Sequence, residues 1–197
     1  MYARIVTITG ANDVDAGIRW LREQLPPRLR DQKGFRGLGI NVDRANSVLG
    51  VLTLWDTEAE RDASWDALAD RRQESQDVIG GQLSMESYEE LLRETGSTPI
   101  GPGSALMMLP VSMDPAKVDE NLAFFKDNIL PRIRASHGFQ QVRLLMNRTT
   151  GHGLGGSVWA DEAAMRAAQD PESRQESESR GVQFGEPSYR EIVFTEF

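Results

Sequence analysis

The chain contains no cysteine among its 197 residues. This absence excludes disulfides, thiolate nucleophiles, zinc fingers and iron–sulfur clusters, and it fits a reducing compartment. No apolar run approaches the ~20 residues needed to span a bilayer, and the first residues read as a strand rather than as a signal peptide. We therefore expect a cytoplasmic protein with no membrane partner.

Basic character is also scarce. The 22 Lys and Arg residues are outnumbered by 30 Asp and Glu residues, which gives a net charge of −8. The basic residues are scattered among carboxylates, whereas a nucleic-acid-binding protein usually carries a basic face. We therefore expect a globular protein that does not bind nucleic acid.

An internal repeat is the main feature that is present. When the chain is shifted by 104 residues, Gly34-Phe35 falls on Gly138-Phe139 and Trp55 falls on Trp159. The helical apolar spacing that starts at Val14 recurs from Val118. Other identical pairs are Pro27 and Pro131, Arg44 and Arg148, Glu58 and Glu162, and Asp66 and Asp170.

Each half predicts the order strand, helix, strand, strand, helix, strand, which is the ferredoxin-like α+β unit. In the first half the predicted elements span residues 2–9, 14–31, 35–43, 47–55, 57–76 and 85–93. In the second half they span residues 104–112, 115–135, 139–147, 153–160, 161–179 and 188–196. Pro27 and Pro131 lie inside the first helix of each half, so each should kink its helix or end it early.

A Gly- and Pro-rich segment, 94–103, separates the halves. It predicts a first ferredoxin-like repeat over 1–97 and a second over 98–197. Both helices of such a unit pack on one sheet face, and a second copy can cover the other face. We therefore expect the repeats, fused in tandem, to pack as an intramolecular pseudo-dimer, an α/β barrel, with further homo-oligomerisation left open.

Each half resembles the antibiotic-biosynthesis-monooxygenase-like domain of the dimeric α/β-barrel superfamily. The resemblance is carried by Gly34-Phe35 and by Leu54-Trp55-Asp-Thr-Glu-Ala59, with counterparts at Gly138-Phe139 and Val158-Trp159-Ala-Asp-Glu-Ala163. It covers nearly the whole chain and implies a pocket in each half between sheet and helices. Members of the family include cofactor-independent quinone-forming monooxygenases and haem-degrading enzymes.

Five aromatic residues are the candidate pocket residues: Trp65, Trp55, Tyr88, Trp159 and Tyr189. Haem-degrading relatives place a pocket tryptophan where Trp65 lies, although a packing role explains Trp65 equally well. Trp55 and Trp159 end equivalent strands and are interpreted as structural. The phenols of Tyr88 and Tyr189 are suited to orienting a substrate. Because the second half has Gln169 at the position equivalent to Trp65, we expect the first half to keep the working pocket.

Haem and metal binding are not expected. Where haem-degrading relatives carry a ligating histidine this chain has Glu74, and Thr7 to Thr9 replace their strand asparagine. His137 and His152 each lack a neighbouring histidine or cysteine, so the sequence predicts no metal site. The glycine-rich segment from Gly151 to Gly156 matches a dinucleotide fingerprint, but it links two predicted strands and is interpreted as a hairpin.

The leading functional hypothesis is a cofactor-independent monooxygenase-like enzyme that acts on a small aromatic or polyketide-like molecule. In this hypothesis Trp65 stacks on the substrate, and Tyr88 or an arginine holds its oxyanion. The alternative is a non-catalytic pseudo-dimer that binds a small ligand. A purely structural protein with filled pockets is a third possibility. The sequence leaves the ligand and the active half open.

Overall fold

The computed structural model describes residues 1–197 and divides the chain into two compact units. Unit 1 comprises Met1–Tyr88 together with Glu191–Phe197, and unit 2 comprises Glu89–Arg190. The repeat boundary at residues 97 and 98 describes the sequence duplication and stays a prediction.

Unit 1 begins with a strand–helix–strand–strand order. Its elements are β1 (Tyr2–Thr9), α1 (Val14–Arg30), β2 (Phe35–Asp43), β3 (Val48–Trp55), α2 (Glu58–Ala67), α3 (Ala69–Ile79) and the first part of β4 (Gln82–Thr95). The predicted helix over 57–76 is two helices, because the backbone turns out of helical geometry at Leu68, with φ −107° and ψ 20°.

Unit 2 repeats this order with additions. Its elements are β5 (Ala105–Ser112), a 3₁₀ turn (Pro115–Lys117), α4 (Val118–Phe124), a π-helical turn (Phe125–Ile129), α5 (Leu130–Ala135), β6 (Phe139–Asn147), β7 (His152–Trp159), α6 (Glu162–Ala167), α7 (Pro171–Ser179), β8 (Gln183–Phe184) and β9 (Ser188–Glu196). Residues 191–196 of β9 belong to unit 1, and residues 89–95 of β4 belong to unit 2. The short strand β8 was not predicted.

Neighbouring strands in each unit are antiparallel, and the pairing register is the same in both units. In unit 1, β3 lies between β1 and β2, and the final residues of β9 pair with β2. In unit 2, β7 lies between β5 and β6, and β4 pairs with β6. Tyr2 pairs with Trp55 as Ala105 pairs with Trp159, so the two registers can be superimposed residue by residue.

Local sequence signals fix the ends of the helices. Asp13 and Asp161 accept hydrogen bonds from backbone amides at the starts of α1 and α6. Thr57 caps α2 by accepting from the Glu60 amide, and its hydroxyl donates to the Glu60 carboxylate. The repeated glycines Gly34 and Gly138 have φ of 76° and 74°, a left-handed conformation that explains why glycine recurs after each first helix.

The two prolines act differently from each other. Helix α1 continues past Pro27 to Arg30, so it does not end early there, and the alternative expectation of a kink stays a prediction. In unit 2 the helical path contains the π-helical turn immediately before Pro131, which lies in the first turn of α5. Proline lacks an amide hydrogen, and a π turn is a common adjustment of the hydrogen-bond ladder at such an interruption.

Each unit has its own apolar core. The core of unit 1 is built around Trp55, Leu38 and Ile40, which are fully buried, and includes Val193 from the end of the chain. The core of unit 2 is built around Trp159, Met165 and Val142. No helix of either unit is long and apolar enough to cross a membrane.

Candidate functional site

Unit 2 contains a cavity of about 420 Å³, which lies within the usual range of small-molecule sites, roughly 300–1,000 Å³. Strand β5 contributes Met107, Leu109 and Val111 to its wall, and the π-helical turn contributes Phe125 and Ile129. Leucines, methionines and phenylalanines of the neighbouring strands and helices supply most of the remaining wall. The cavity is therefore suited to an apolar ligand.

A few polar groups interrupt this apolar wall. Ser157 is 5% exposed and lines the cavity, and its hydroxyl forms no hydrogen bond to another protein group. The Asn121 amide donates to the Met113 sulfur over 3.5 Å, a weak interaction. The Tyr189 hydroxyl accepts a hydrogen bond from Gln169 over 3.4 Å and keeps its own proton available. Ser157 and Tyr189 are therefore the two hydroxyl donors on the wall that a ligand oxygen can use.

The carboxylate on the cavity wall, Asp170, is committed to its own helix. It caps α7 by accepting from the amides of Glu172 and Ser173 and from the Ser173 hydroxyl at 2.5 Å, and it pairs with Arg132 at 3.4 Å. The hydrogen bond from the Ser173 hydroxyl, together with the Arg132 pair, lowers the pKa of Asp170 below its ordinary value. Asp170 is thus a weak base at neutral pH.

The corresponding cavity of unit 1 is about 80 Å³. The ring of Trp65 lies on its wall and contacts two guanidinium groups. The Cζ atoms of Arg72 and Arg4 lie 3.7 and 5.0 Å from the ring centroid, and Arg72 also donates to the Trp65 carbonyl. These contacts are cation–π interactions. The arginine and tryptophan side chains that make them fill space that is open in unit 2.

Of the two arginines that contact the Trp65 ring, Arg4 is the more buried, at 5% exposure. Its guanidinium donates to the Ser64 hydroxyl at 2.9 Å and to the Arg61 carbonyl, and it lies 3.6 Å from Asp62. Its Nε atom is buried and has no hydrogen-bond partner. Burial, followed by repulsion from Arg61, lowers the pKa of Arg4 to about 10.

The shared strand register identifies what differs between the cavities. Arg4 pairs with Thr53 in unit 1, and Met107 pairs with Ser157 at the same place in unit 2. Val6 pairs with Val51, whereas Leu109 pairs with Gly155. Trp65, in α2, corresponds in the repeat to Gln169, which lies between α6 and α7. Unit 2 thus has the smaller side chain at four of these five matched positions, and only Leu109 is larger than its counterpart, Val6.

The predicted pocket residues are divided between the units. Trp55 and Trp65 line the cavity of unit 1, and Trp159 and Tyr189 line the cavity of unit 2. Tyr88 lines neither cavity, and burial together with Glu86 raises the pKa of its phenol above the ordinary value. We expected the first half to keep the working pocket, but the cavity beside Trp65 is the smaller of the two, because Arg4 and Arg72 take up much of the space there.

Two of these residues are anchored within the protein. The Trp55 indole donates to Thr53 at 3.0 Å and packs edge-on against Phe35, with 5.6 Å between ring centroids. The Trp159 indole donates to the Ser136 hydroxyl at 3.0 Å. Both rings are almost fully buried, which agrees with a structural role.

Neither histidine lies at a cavity. His137 and His152 are exposed, and no group of three or more His, Asp or Glu side chains is arranged to hold a metal ion. The segment 151–156 joins β6 to β7 and enters β7, as expected for a hairpin. The cavities therefore offer hydroxyl, amide and guanidinium groups for chemistry.

Sequence reasoning missed Arg4 and Ser157. A signal for Arg4 was available, because an arginine alternates with Val6 and Ile8 on the inward face of an otherwise apolar strand. Ser157 carried no such signal, since a serine beside glycines in a strand is unremarkable in sequence. Its importance comes from the large cavity that it faces.

Comparison with known proteins confirms the fold. No family model matches the chain. An uncharacterised protein of Mycobacterium tuberculosis is 26% identical over 173 residues, which cover 86% of this chain and 76% of the relative. An anthrone oxidase-like protein of known structure has a TM-score of 0.68 and 14% identity, with 99% of this chain and 92% of that chain covered.

Two Listeria monocytogenes structures are also similar. A ferredoxin-fold protein related to antibiotic biosynthesis monooxygenases has a TM-score of 0.53 and 14% identity over 99% of this chain and 95% of its own. A haem-degrading enzyme has a TM-score of 0.56 and 10% identity over 97% of this chain and 99% of its own. The chain therefore has a ferredoxin-like α+β fold similar to that of antibiotic-biosynthesis-monooxygenase-like proteins, as the sequence predicted.

Proposed function

We propose that unit 2 binds a small, largely apolar molecule with an aromatic or polyketide-like ring system and oxidises it with molecular oxygen. The observation that carries this proposal is the 420 Å³ apolar cavity of unit 2, whose wall includes the unpartnered hydroxyl of Ser157. A cavity of this size and composition favours a ring system with one or two oxygen substituents.

Binding and orientation would rest on the hydroxyl donors. Ser157 and the Tyr189 phenol each have a proton to donate to a ligand carbonyl or phenolate oxygen. A hydrogen bond in an apolar surrounding favours the negatively charged form of that oxygen, because water does not compete for it. The methionine, leucine and phenylalanine side chains of the wall would hold the ring and exclude water.

The reaction class supported by these groups is cofactor-independent monooxygenation. The substrate gives a proton to solvent from a carbon activated by its own carbonyl, and the resulting carbanion reacts with oxygen. One oxygen atom replaces the two hydrogens of the carbon as a carbonyl, and the other leaves as water. The weakly basic Asp170 does not suit proton abstraction, so the substrate must be acidic enough to form its enolate once Ser157 and Tyr189 stabilise the charge. Similarity to an anthrone oxidase-like protein supports such a substrate.

The second candidate is a non-catalytic protein that binds the same kind of molecule. The absence of an uncommitted carboxylate or histidine on the cavity wall favours it. The two candidates share the site and differ in whether oxygen is consumed.

Two measurements on the full chain separate them. Fluorescence titration with N-phenyl-1-naphthylamine, a neutral apolar probe, reports whether the cavity takes a ring system. An oxygen electrode with anthrone as substrate reports turnover above autoxidation. The proposal predicts saturable probe binding and oxygen consumption that Ser157→Ala lowers by about 10²-fold, with probe binding retained.

The variant Gln169→Trp tests whether the probe lies in the cavity of unit 2, because it introduces the residue found at the equivalent position in unit 1. It should weaken probe binding without unfolding the protein, since Gln169 is exposed. Saturable binding without oxygen consumption would support the non-catalytic candidate. Failure of the native protein to bind the probe would contradict both.

A further inference from the structure

The cavity of unit 1 is lined by cations without a balancing anion. Three arginines, Arg4, Arg71 and Arg72, contribute to its wall, and no aspartate or glutamate does. The hydroxyls of Thr53, Ser64 and Ser75 are the other polar side chains of the wall apart from the tryptophan indoles. The wall therefore carries an excess of positive charge and of hydrogen-bond donors.

Two of these guanidinium groups are only partly satisfied within the protein. The buried Nε of Arg4 has no acceptor. The Arg72 guanidinium makes one hydrogen bond, to the Trp65 carbonyl, and stacks on the Trp65 ring. Arg71, in contrast, is paired with Glu74. Arg4 and Arg72 thus keep unused donors beside the same indole ring.

The carboxylates near this cluster do not neutralise it from inside the cavity. Asp62 lies 3.6 Å from Arg4, but its side chain is 58% exposed and it also accepts from Arg61. Asp66 attracts both Arg4 and Arg72, but it is exposed and does not line the cavity. Burial lowers the pKa of both Arg4 and Arg72, which indicates that neighbouring anions do not fully compensate for the loss of water. Buried charges of this kind are usually paired.

We propose that the cavity of unit 1 is a binding site for a small oxyanion, the carboxylate or phosphate group of a small molecule, held by Arg4 and Arg72. Guanidinium groups bind both anions through paired hydrogen bonds, and an anion supplies the acceptor that the Arg4 Nε lacks. A cavity of about 80 Å³ has room for several waters at roughly 10–15 Å³ each, or for one such group in their place.

The matched positions of unit 2 make the inference specific to unit 1. Met107 stands where Arg4 does, and Gln169 stands where Trp65 does. The exchange of methionine for arginine changes an apolar wall into one that attracts anions. The two cavities of one duplicated fold would then take ligands of different chemistry.

Isothermal titration calorimetry of the full chain tests this site. Sodium phosphate and sodium butyrate are titrated separately, with ionic strength held constant by sodium chloride so that general screening does not change. We expect saturable binding of at least one of the two oxyanions. Preference for butyrate would identify a carboxylate ligand, and preference for phosphate would identify a phosphate group.

Three variants locate the binding. Arg4→Met imports the residue of unit 2, and Arg72→Gln removes the stacked charge; each should weaken oxyanion binding about tenfold or more. Arg36→Gln is the control, because Arg36 is an exposed arginine of the same unit that is paired with Asp56, and it should leave binding unchanged. If Arg4→Met does not fold, Arg72→Gln decides the question. The proposal is wrong if neither anion binds saturably, or if Arg72→Gln binds as the native chain does.

Discussion

Units 1 and 2 have the same strand order and register, yet their cavities differ about fivefold in volume, roughly 80 against 420 Å³. In unit 1 the space beside β1 contains the stacked side chains of Arg4, Trp65 and Arg72. In unit 2 the matched positions on β5 and α6 to α7 carry Met107 and Gln169, and Gly155 replaces Val51.

This difference shows how a duplicated fold can separate stability from binding. The strand ends that carry Trp55 and Trp159 are the same in both units, and both tryptophans are buried and hydrogen-bonded. Among the residues that differ between the units, Arg4, Val51 and Trp65 and their counterparts lie on the cavity walls. A few wall substitutions are therefore enough to make one cavity large and apolar and the other small and cationic.

The largest expected effect comes from removing Glu191–Phe197, which completes the sheet of unit 1. Ile192 and Val193 are buried, each at 6% exposure, and β2 would lose its pairing along one edge. Each buried aliphatic side chain contributes about 1.5–3 kcal/mol. We expect hydrogen exchange to show loss of protection in β2 and β3, with β6 and β7 of unit 2 remaining protected.

The isolated first repeat, residues 1–97, lacks the same segment. We expect this fragment to self-associate or to be poorly soluble, because the β2 edge and the core positions of Ile192 and Val193 are left open. Sedimentation measures this directly. A stable, folded monomer of residues 1–97 would contradict the account.

A large effect specific to unit 2 is expected from Glu90→Gln. Arg143 and Glu90 form an ion pair in which both side chains are 5% exposed, whereas Gly39 is the counterpart of Arg143 in unit 1. Removing one partner leaves a buried charge without compensation, and should cost about 3–5 kcal/mol of unfolding free energy. Chemical denaturation measures this loss of unfolding free energy. In the control Asp56→Asn, an exposed pair with Arg36 is broken, and the loss of unfolding free energy should be far smaller, because solvent screens this pair.

Much of this fold was readable from the repeat. The positive φ of Gly34 and Gly138 explains the strongest sequence match, and the alternation of Leu38, Ile40 and Val42 correctly placed β2. The break of the second helix at Leu68 was not readable, because leucine is a good helix former. In unit 2, Pro171 at the first turn of α7 was an available signal for the equivalent break.

The cavities were harder to predict because their size depends on residues that are distant in sequence. Arg4 lies 61 positions before Trp65, and the contact between them exists only once β1 packs beside the second helix. The sequence singled out Trp65 as an aromatic candidate and could not show that two guanidinium groups cover its ring. For the same reason it favoured the first half for the working pocket.

A moderate effect is expected when Trp65 is truncated. Trp65→Ala removes a partly buried ring and two cation–π contacts, so we expect a loss of about 2 kcal/mol, less than the 3–5 kcal/mol of a fully buried tryptophan. Gln169→Ala, at the exposed equivalent site, should change stability by at most about 0.5 kcal/mol. Thermal melts of both variants test this. Equal losses would mean that the two sites do not differ as described.

The smallest expected effect is that of haem, for which we predict no saturable binding. His137 and His152 are exposed and line neither cavity. A titration followed through the Soret band should therefore show weak, non-stoichiometric changes that are the same in a His137→Ala, His152→Ala double variant. Stoichiometric binding that survives these two substitutions would contradict the prediction.

The central claim is that the cavity of unit 2 is the site for an apolar ligand and that its counterpart in unit 1 is not. The stoichiometry of N-phenyl-1-naphthylamine binding, measured by calorimetry, tests it most directly. The double variant Gly155→Val, Gln169→Trp introduces the residues of unit 1 at two wall positions. A Cβ atom added at Gly155 would meet no atom closer than 3.7 Å, so the backbone there should accept a side chain. The account predicts one probe per native chain and none for the double variant. Two probes per native chain, or unchanged binding in the double variant, would contradict it.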